Sequence, residues 1–244
     1  MGIAIYNPVL VTVDGNYDDV NRLCARLVQK YNWGFININL RPYYAEGSKT
    51  LGYEVAEQLG WRAPDCVISP AASGLSFTRI WKGLDELSML GLVEPVNTHM
   101  FLAQAAGSSP IVNAFQAGSL HPNPVVPNTI AKSIAIGNPT DGYYALRVAR
   151  QSGGGACAAT DEEIIAGMKL LAQTEGIFAE PAGGTVIAGL KGLVSSGIIK
   201  RDELTVAFIT GAGPRTQDTV ADIVKPFTIQ PNLESFEEVL GARV

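Results

Sequence analysis

Short apolar, β-branched runs alternate along this chain with longer segments whose apolar residues recur every three to four positions. No other feature of the sequence restricts the fold as tightly. Extended structure is expected at residues 8–14 ("PVLVTVD"), 33–40 ("WGFININL"), 66–69 ("CVIS"), 99–104 ("HMFLAQ") and 204–210 ("LTVAFIT"), the last reading as the clearest buried strand. Helical spacing links Val20, Leu23, Cys24, Leu27, Val28 and Tyr31, with Asp14, Asn16 or Asp18 as the cap. A polar, aromatic connection, "RPYYAEGSK" (41–49), leads to a helix through Leu51, Val55, Ala56 and Leu59 that stops near Gly60. Phe77, Ile80, Trp81, Leu84 and Leu87 mark another helical face, and residues 109–116 a shorter one. "TDEE" at 160–163 is a capping box, and a further helix starts at Pro181 and Gly183 and ends near Gly197. Pro122, Pro124, Pro127 and Pro139 make 118–142 largely loop, apart from a short helix over 129–136, and the tail from Pro226 is less regular. Strands separated by helices cannot be joined by hairpins. The expected fold is therefore α/β, a mainly parallel sheet with helices on both faces.

Composition narrows the function. With 244 residues, 47% hydrophobic and 17% charged, the chain can bury a substantial core. A net charge of -5 with no basic run leaves no footprint for nucleic acid. No apolar stretch reaches membrane-spanning length, and "MGIAIYNPVLV" is no secretory leader, so the expected location is the cytoplasm. Cys24, Cys66 and Cys157 are far apart in apolar surroundings and read as buried thiols; two histidines, His99 and His121, exclude a histidine-rich metal site.

In an open α/β sheet, ligands collect beyond the carboxyl ends of the strands. Two turns belong there, "PAASGLS" after residues 66–69 and "GAGPRT" after 204–210. The first combines Ala71, Ala72 and Gly74, which let a backbone come close, with the hydroxyls of Ser73 and Ser76 and a helix start whose N–H groups are free for an anion. It has neither the lysine of a nucleotide P-loop nor the spacing of a dinucleotide turn. On residue chemistry alone, a phosphate cradle and a tight turn without a ligand both fit.

A wider resemblance adds to this. "VDGNYDDVNRLC", "NINLRPYYAEGSKTLGYEVAEQLGW", "PAASG", "WKGLDEL", "KSIAIGNP", "LLAQTEGIFAEPAGG" and "ITGAG" resemble threonine synthase, a pyridoxal-phosphate (PLP) enzyme of the tryptophan-synthase-β fold type, from near residue 8 to near residue 222. The resemblance implies a partial smaller lobe over 1–40, a large cofactor-binding domain over 41–244, and conversion of O-phospho-homoserine to threonine and phosphate. It implies that Ala71, Ala72, Ser73, Gly74 and Leu75 hold the cofactor phosphate, although their form departs from the "GNGGN" common in relatives, and that Thr210 faces the pyridine nitrogen. Arg41, Lys49 and Asn138 become candidates for binding the phosphorylated amino-acid substrate; a solvated loop arginine, a solvated lysine and a turn-fixing asparagine are the plainer alternatives. Glu175 and Glu180 resemble positions near the cofactor ring, and Arg215 stands where relatives often have lysine.

The family's Schiff-base lysine lies in a "SFKD"-like segment and its substrate carboxylate is held by an "STGNTS"-like loop. Neither occurs here, and none of Lys30, Lys49, Lys82, Lys132, Lys169, Lys191, Lys200 or Lys225 has such a context, so no catalytic residue is assigned in this chain. The expectation is an enzyme part active with an N-terminal complementing polypeptide, or one assembled as a homo-oligomer. A non-catalytic subunit retaining the fold, or an enzyme acting on other phosphorylated ligands, are the alternatives.

Overall fold

The computed structural model describes residues 3–36, 41–221 and 226–241. Four parallel strands form one sheet: β1 (Cys66–Pro70), β2 (His99–Ala105), β3 (Gly155–Ala159) and β4 (Thr205–Ala207), in the order β3-β2-β1-β4. The helices of the described residues are α1 (Tyr17–Tyr31), α2 (Arg41–Gly47), α3 (Thr50–Gln58), α4 (Leu75–Met89), α5 (Pro110–Gln116), α6 (Gly142–Gln151), α7 (Asp161–Glu175), α8 (Pro181–Ser195) and α9 (Leu233–Gly241). The α/β expectation holds, with helices on both faces of the parallel sheet.

The pleat explains how the two faces are covered. Val67, Met100 and Leu102 point to one side and pack with Phe77, Ile80 and Leu84 of α4, Ile111 of α5, and Leu146 and Ala149 of α6. Cys66, Ile68, Phe101 and Ala103 point to the other, against Val186 and Leu193 of α8. Because β1 is flanked by strands on both edges and by helices on both faces, all five of its residues are buried. Burial pushes the Cys66 thiol up to about 11 and that of the largely covered Cys157 up to about 12, so both remain protonated at neutral pH. Cys24 is also free and half-exposed.

Capping chemistry sets the helix starts where the sequence signals it. Asn16 caps α1 through a reciprocal pair with Asp19, and Thr160 caps α7 through the same arrangement with Glu163. Gly60, with φ of 74°, follows the end of α3, as expected. Residues 118–142 are mainly loop, and their short helix is a single 3-10 turn, Lys132–Ile134.

Five expectations are corrected. Residues 8–14 form no strand; Val9 is 95% exposed, and β-branched propensity does not make a strand when no ladder partner lies alongside among the described residues. Residues 41–49 are not a loop connection, since α2 occupies most of them. The 204–210 segment is paired as a strand only over Thr205–Ala207 and is half-buried, because β4 is an edge strand touching β1 alone. The tail contains α9. Residues 33–35 carry no regular structure and Ile36 is helical, while 37–40 lie outside the described residues. Two elements give weak sequence signals and were not anticipated, α6 and β3; β3 is "GACAA", with no β-branched or aromatic residue.

Leu102 is fully buried in β2 at the centre of the larger apolar cluster. Leu102→Ala is expected to cost about 3 kcal/mol, read as a lower urea midpoint with an unchanged denaturant slope.

Candidate functional site

The strand order locates the site before any side chain is considered. From β1 the chain adds β2 and then β3 on one side, then returns through α7 and α8 to place β4 on the other side of β1. The strand order thus reverses between β1 and β4, the place where a crevice is expected beyond the carboxyl ends. A cleft of about 860 Å³ lies there, lined by Pro70 at the end of β1, by Ala72 to Ser76 after it and by Thr210 after β4. Across it stand Tyr17 and Asn21 of α1, Tyr44 of α2, and residues of the loop between α5 and α6.

The turn after β1 is held by its own backbone. Ala71 N–H donates to the Ala103 carbonyl at 2.9 Å, and the Ala71 carbonyl accepts from Gln104 Nε2 at 3.1 Å. Gln104 is fully buried, and its Oε1 accepts from the N–H groups of Ile111 and Val112, so one side chain joins the base of the turn to the start of α5. The Ser73 carbonyl accepts from Asp141 N–H at 3.0 Å, and Leu75 N–H reaches Ser73 Oγ at 3.4 Å. Among the described residues, the N–H groups of Ala72, Ser73, Gly74, Ser76 and Phe77 meet no protein acceptor. Gly74 caps α4 with φ of 92°, and a Cβ there would come within 2.9 Å of Ala145 Cβ. Only glycine meets both demands without strain. The result is a fixed turn with unclaimed N–H groups at the positive end of a fifteen-residue helix.

Thr210 is exposed in the cleft, and its hydroxyl has no hydrogen-bond partner among the described residues. The next residue, Gly211, packs against Glu180, whose Cδ would lie 2.2 Å from a Cβ at that position. Glu180 in turn accepts from Ser133 Oγ at 2.8 Å, and its N–H donates to the Gly211 carbonyl. The start of α8, the Lys132–Ile134 turn and the end of the β4 segment are therefore linked through one carboxylate.

Of the sequence-derived candidates, the cleft lining includes Ala72, Ser73, Gly74, Leu75, Thr210 and Asn138. Ala71 supports the turn, its N–H being committed to the sheet. Asn138 is held by its backbone, whose N–H donates to Asp18 Oδ2 at 3.3 Å, as does that of Gly137 at 3.0 Å. Arg41 opens α2, and its side chain lies outside the described residues. Lys49 is elsewhere. Its ammonium pairs with Glu46 at 2.6 Å and Glu86 at 2.7 Å, and Tyr53 Oη also donates to Glu86. Hydrogen bonds to Glu46 and then Glu86 raise the Lys49 pKa, and Lys49 in turn holds both carboxyls below their usual range. Glu175 ends α7 in solvent, and Arg215 is exposed in the Gly213–Arg215 turn.

Three participants escaped the sequence reading. Gln104 looks like an ordinary strand residue, and Asp18 ties α1 to a loop 119 residues away, so neither leaves a local signal. Lys132, inside the quoted "KSIAIGNP", lines the cleft. The described residues contain no cluster of three or more His, Cys, Asp or Glu able to hold a metal, and no helix long and apolar enough to cross a membrane.

Asp18→Ala and Lys49→Met should therefore behave differently in hydrogen exchange. Losing the carboxylate should accelerate exchange of the Gly137 and Asn138 amides by about tenfold, since bonds to a charged acceptor are worth about 1.5–3 kcal/mol. Lys49→Met should leave those two amides unchanged and accelerate exchange in α3 instead.

The sequence matches the family described as Pyridoxal-phosphate dependent enzyme over residues 2–211. It is 38% identical over 233 residues to the threonine synthase of Methanosarcina acetivorans, which covers 95% of this chain and 57% of that protein. It is also 38% identical over 237 residues to the threonine synthase of Methanocaldococcus jannaschii, covering 96% of this chain and 58% of that one. The chain thus spans somewhat under three-fifths of the length of these relatives. Among solved structures, the fold is similar to maize serine racemase (TM-score 0.64, 16% identity, 99% of this chain and 66% of that one). It is similar also to diaminopropionate ammonia lyase from Escherichia coli (TM-score 0.66, 18% identity, 85% of this chain and 57% of that one). A cleft at the strand-order reversal, a free helix end within it and a match over residues 2–211 converge on one conclusion: the chain belongs to the family of pyridoxal-phosphate dependent enzymes, and pyridoxal 5'-phosphate is its cofactor.

Proposed function

We propose that this chain forms the cofactor-phosphate side of a threonine-synthase-like enzyme, which converts O-phospho-homoserine and water to threonine and phosphate. The observation that carries the reading is the placement of the Ala72–Gly74 turn and Thr210 in one cleft, joined to 38% identity with threonine synthases over nearly the whole chain. The residues present fit the cofactor. Unclaimed N–H groups at the start of α4 suit its phosphate, the glycine at 74 permits the left-handed turn and the close approach to Ala145 that present them, and Thr210 offers a neutral hydroxyl for the ring nitrogen. With no carboxylate in that position, the nitrogen gains no partner that favours its protonated form.

When bound, the cofactor acts as the electron sink for carbanion chemistry on the amino acid. The chain's own part is to bind and orient. The α4 end fixes the phosphate, the Ser133–Glu180 bond holds the neighbouring turn, and Tyr17, Tyr44 and Tyr144 wall the cleft. The lysine that joins covalently to the cofactor is assigned to a complementing part carrying a "SFKD"-like segment, with a complementing polypeptide or a second copy as partner. Native mass measurement of purified material tests that partnership directly.

Pyridoxal phosphate titrated into the chain should bind reversibly, without turnover of O-phospho-homoserine. Thr210→Val should weaken binding about fivefold, the worth of one hydrogen bond of about 1 kcal/mol, and Ser73→Ala should have at most that effect. Gly74→Val should abolish binding; since it also strains the backbone, circular dichroism must first show that it folds. Equal binding by a folded Gly74→Val variant would overturn the cradle. Borohydride reduction and peptide mapping should place a stoichiometric pyridoxyl mark on the complementing part alone. A stoichiometric mark on Lys132, the lysine lining the cleft, would move that role into this chain.

A further inference from the structure

Lys132 occupies an unusual position for a lysine on a chain of net charge -5. It is the one cation among the described residues that line the cleft, and its ammonium makes no ion pair or hydrogen bond with any described residue. Lys49 and Lys82, by contrast, are paired with Glu46 and Glu86. The two cleft carboxylates are engaged by hydroxyls, Glu180 by Ser133 Oγ at 2.8 Å and Asp141 by Thr140 Oγ1 at 3.0 Å.

The exposed ammonium is carried by a fixed backbone. Asp161, at the start of α7, accepts from Thr129 Oγ1 at 2.6 Å and from Ile130 N–H at 3.2 Å, and Thr129 Oγ1 accepts from Ala131 N–H. Lys132 N–H donates to the Ile130 carbonyl at 2.8 Å. Ala131 and Ile134, on either side of Lys132, are buried in the apolar cluster of Ile164, Met168 and Ala182, against which Ala72 of the cradle turn also packs. One cluster therefore seats both the cradle and the turn that carries Lys132. Little ordering of the backbone remains to be done when an anion arrives.

We propose that Lys132 forms a second anion subsite in this cleft, specific for the phosphate monoester of the substrate, while the α4 end takes the cofactor phosphate. The inference rests on the function proposed above. It extends that reading by naming a residue that determines specificity for a phosphorylated over an unphosphorylated amino acid. A phosphate monoester near neutral pH carries close to two negative charges, so an uncompensated ammonium discriminates it strongly from a hydroxyl at the same place.

The test titrates O-phospho-L-homoserine, L-homoserine and pyridoxal phosphate separately into wild type, Lys132→Met and Lys132→Arg by calorimetry, with the phosphoester also titrated into protein saturated with pyridoxal phosphate. Lys132→Met should weaken the phosphoester about tenfold, a charge-assisted contact of about 1.5 kcal/mol, and should flatten the salt dependence of its binding. Affinities for L-homoserine and pyridoxal phosphate should not change, and Lys132→Arg should restore most of the loss. Unchanged phosphoester affinity in Lys132→Met overturns the proposal, as does failure of wild type to bind the phosphoester. An equal loss for pyridoxal phosphate overturns it too, because Lys132 would then serve the cofactor phosphate. If wild type binds the phosphoester through Lys132 but does not bind pyridoxal phosphate, the cradle reading fails and the Lys132 subsite stands.

Discussion

β1 carries a parallel ladder on each edge, to β2 in register from Cys66↔His99 to Pro70↔Ala103 and to β4 from Cys66↔Thr205 to Ile68↔Ala207. The two ladders differ in length, and that difference shapes the site. On the β2 side, pairing runs to the last residue of β1 and is extended by the Ala71 N–H bond to Ala103, so the chain enters the turn under tight control. On the β4 side, regular pairing stops at Ala207, with one further bond from Phe208 N–H to the Ile68 carbonyl. The chain from Ile209 onward then leaves the sheet edge, and Thr210 comes to stand in the cleft opposite the turn. A central strand whose neighbours end at different heights is what leaves room beyond it.

The backbone around this opening is fixed by polar groups drawn from distant parts of the chain. Gln104 joins the turn to α5, Asp161 holds the Thr129–Ala131 approach, Glu180 accepts from Ser133, and Asp18 receives the N–H groups of Gly137 and Asn138. Each connects a loop to the start of a helix or to a strand. Loops that would otherwise need solvent to satisfy their N–H groups are tied to the regular elements instead. The ion cluster of Glu46, Lys49, Lys82 and Glu86 does comparable work between α2, α3 and α4. There, Gly52 and Gly83 let the backbones approach so closely that a Cβ on either would lie 2.6 Å from the facing carbonyl.

Elements written by local signals were legible in the sequence. The capping box at Thr160, the apolar run of β1, and the helical stripe of α4 each depend on residues within a turn or two of one another. β3 was not legible, because Gly155–Ala159 owes its extended form to the ladder with β2, and small residues suit the crowding there: a Cβ on the preceding Gly154 would lie 2.0 Å from the Met100 carbonyl oxygen. Residues 8–14 are the reverse case: their propensity for a strand is strong, and no partner strand lies alongside among the described residues. For the site, the turn and Thr210 were readable because both follow strands. The pairing of Lys49 had a visible cue in Glu46 three residues before it. Lys132 had none, since the direction of a single 3-10 turn depends on Asp161 and the buried neighbours Ala131 and Ile134.

These contrasts bear on which features of the cleft can vary and which cannot. The turn after β1 presents backbone N–H groups, so its side chains are constrained chiefly by space: Gly74 by φ and by Ala145, Ala72 by the apolar cluster beneath it. N–H groups at a helix start are supplied by any sequence that permits the turn, so the proposed phosphate site does not depend on the particular spelling "AASGL". Lys132 is the opposite case. Its charge comes from the side chain alone, and nothing in the packing of an exposed residue demands a lysine there. An aliphatic or hydroxyl side chain would sit on the same turn at no structural cost, while removing the cleft's one described cation. On the proposed reading, selectivity for a second anion can therefore be gained or lost at this position without disturbing the Ala72–Gly74 turn.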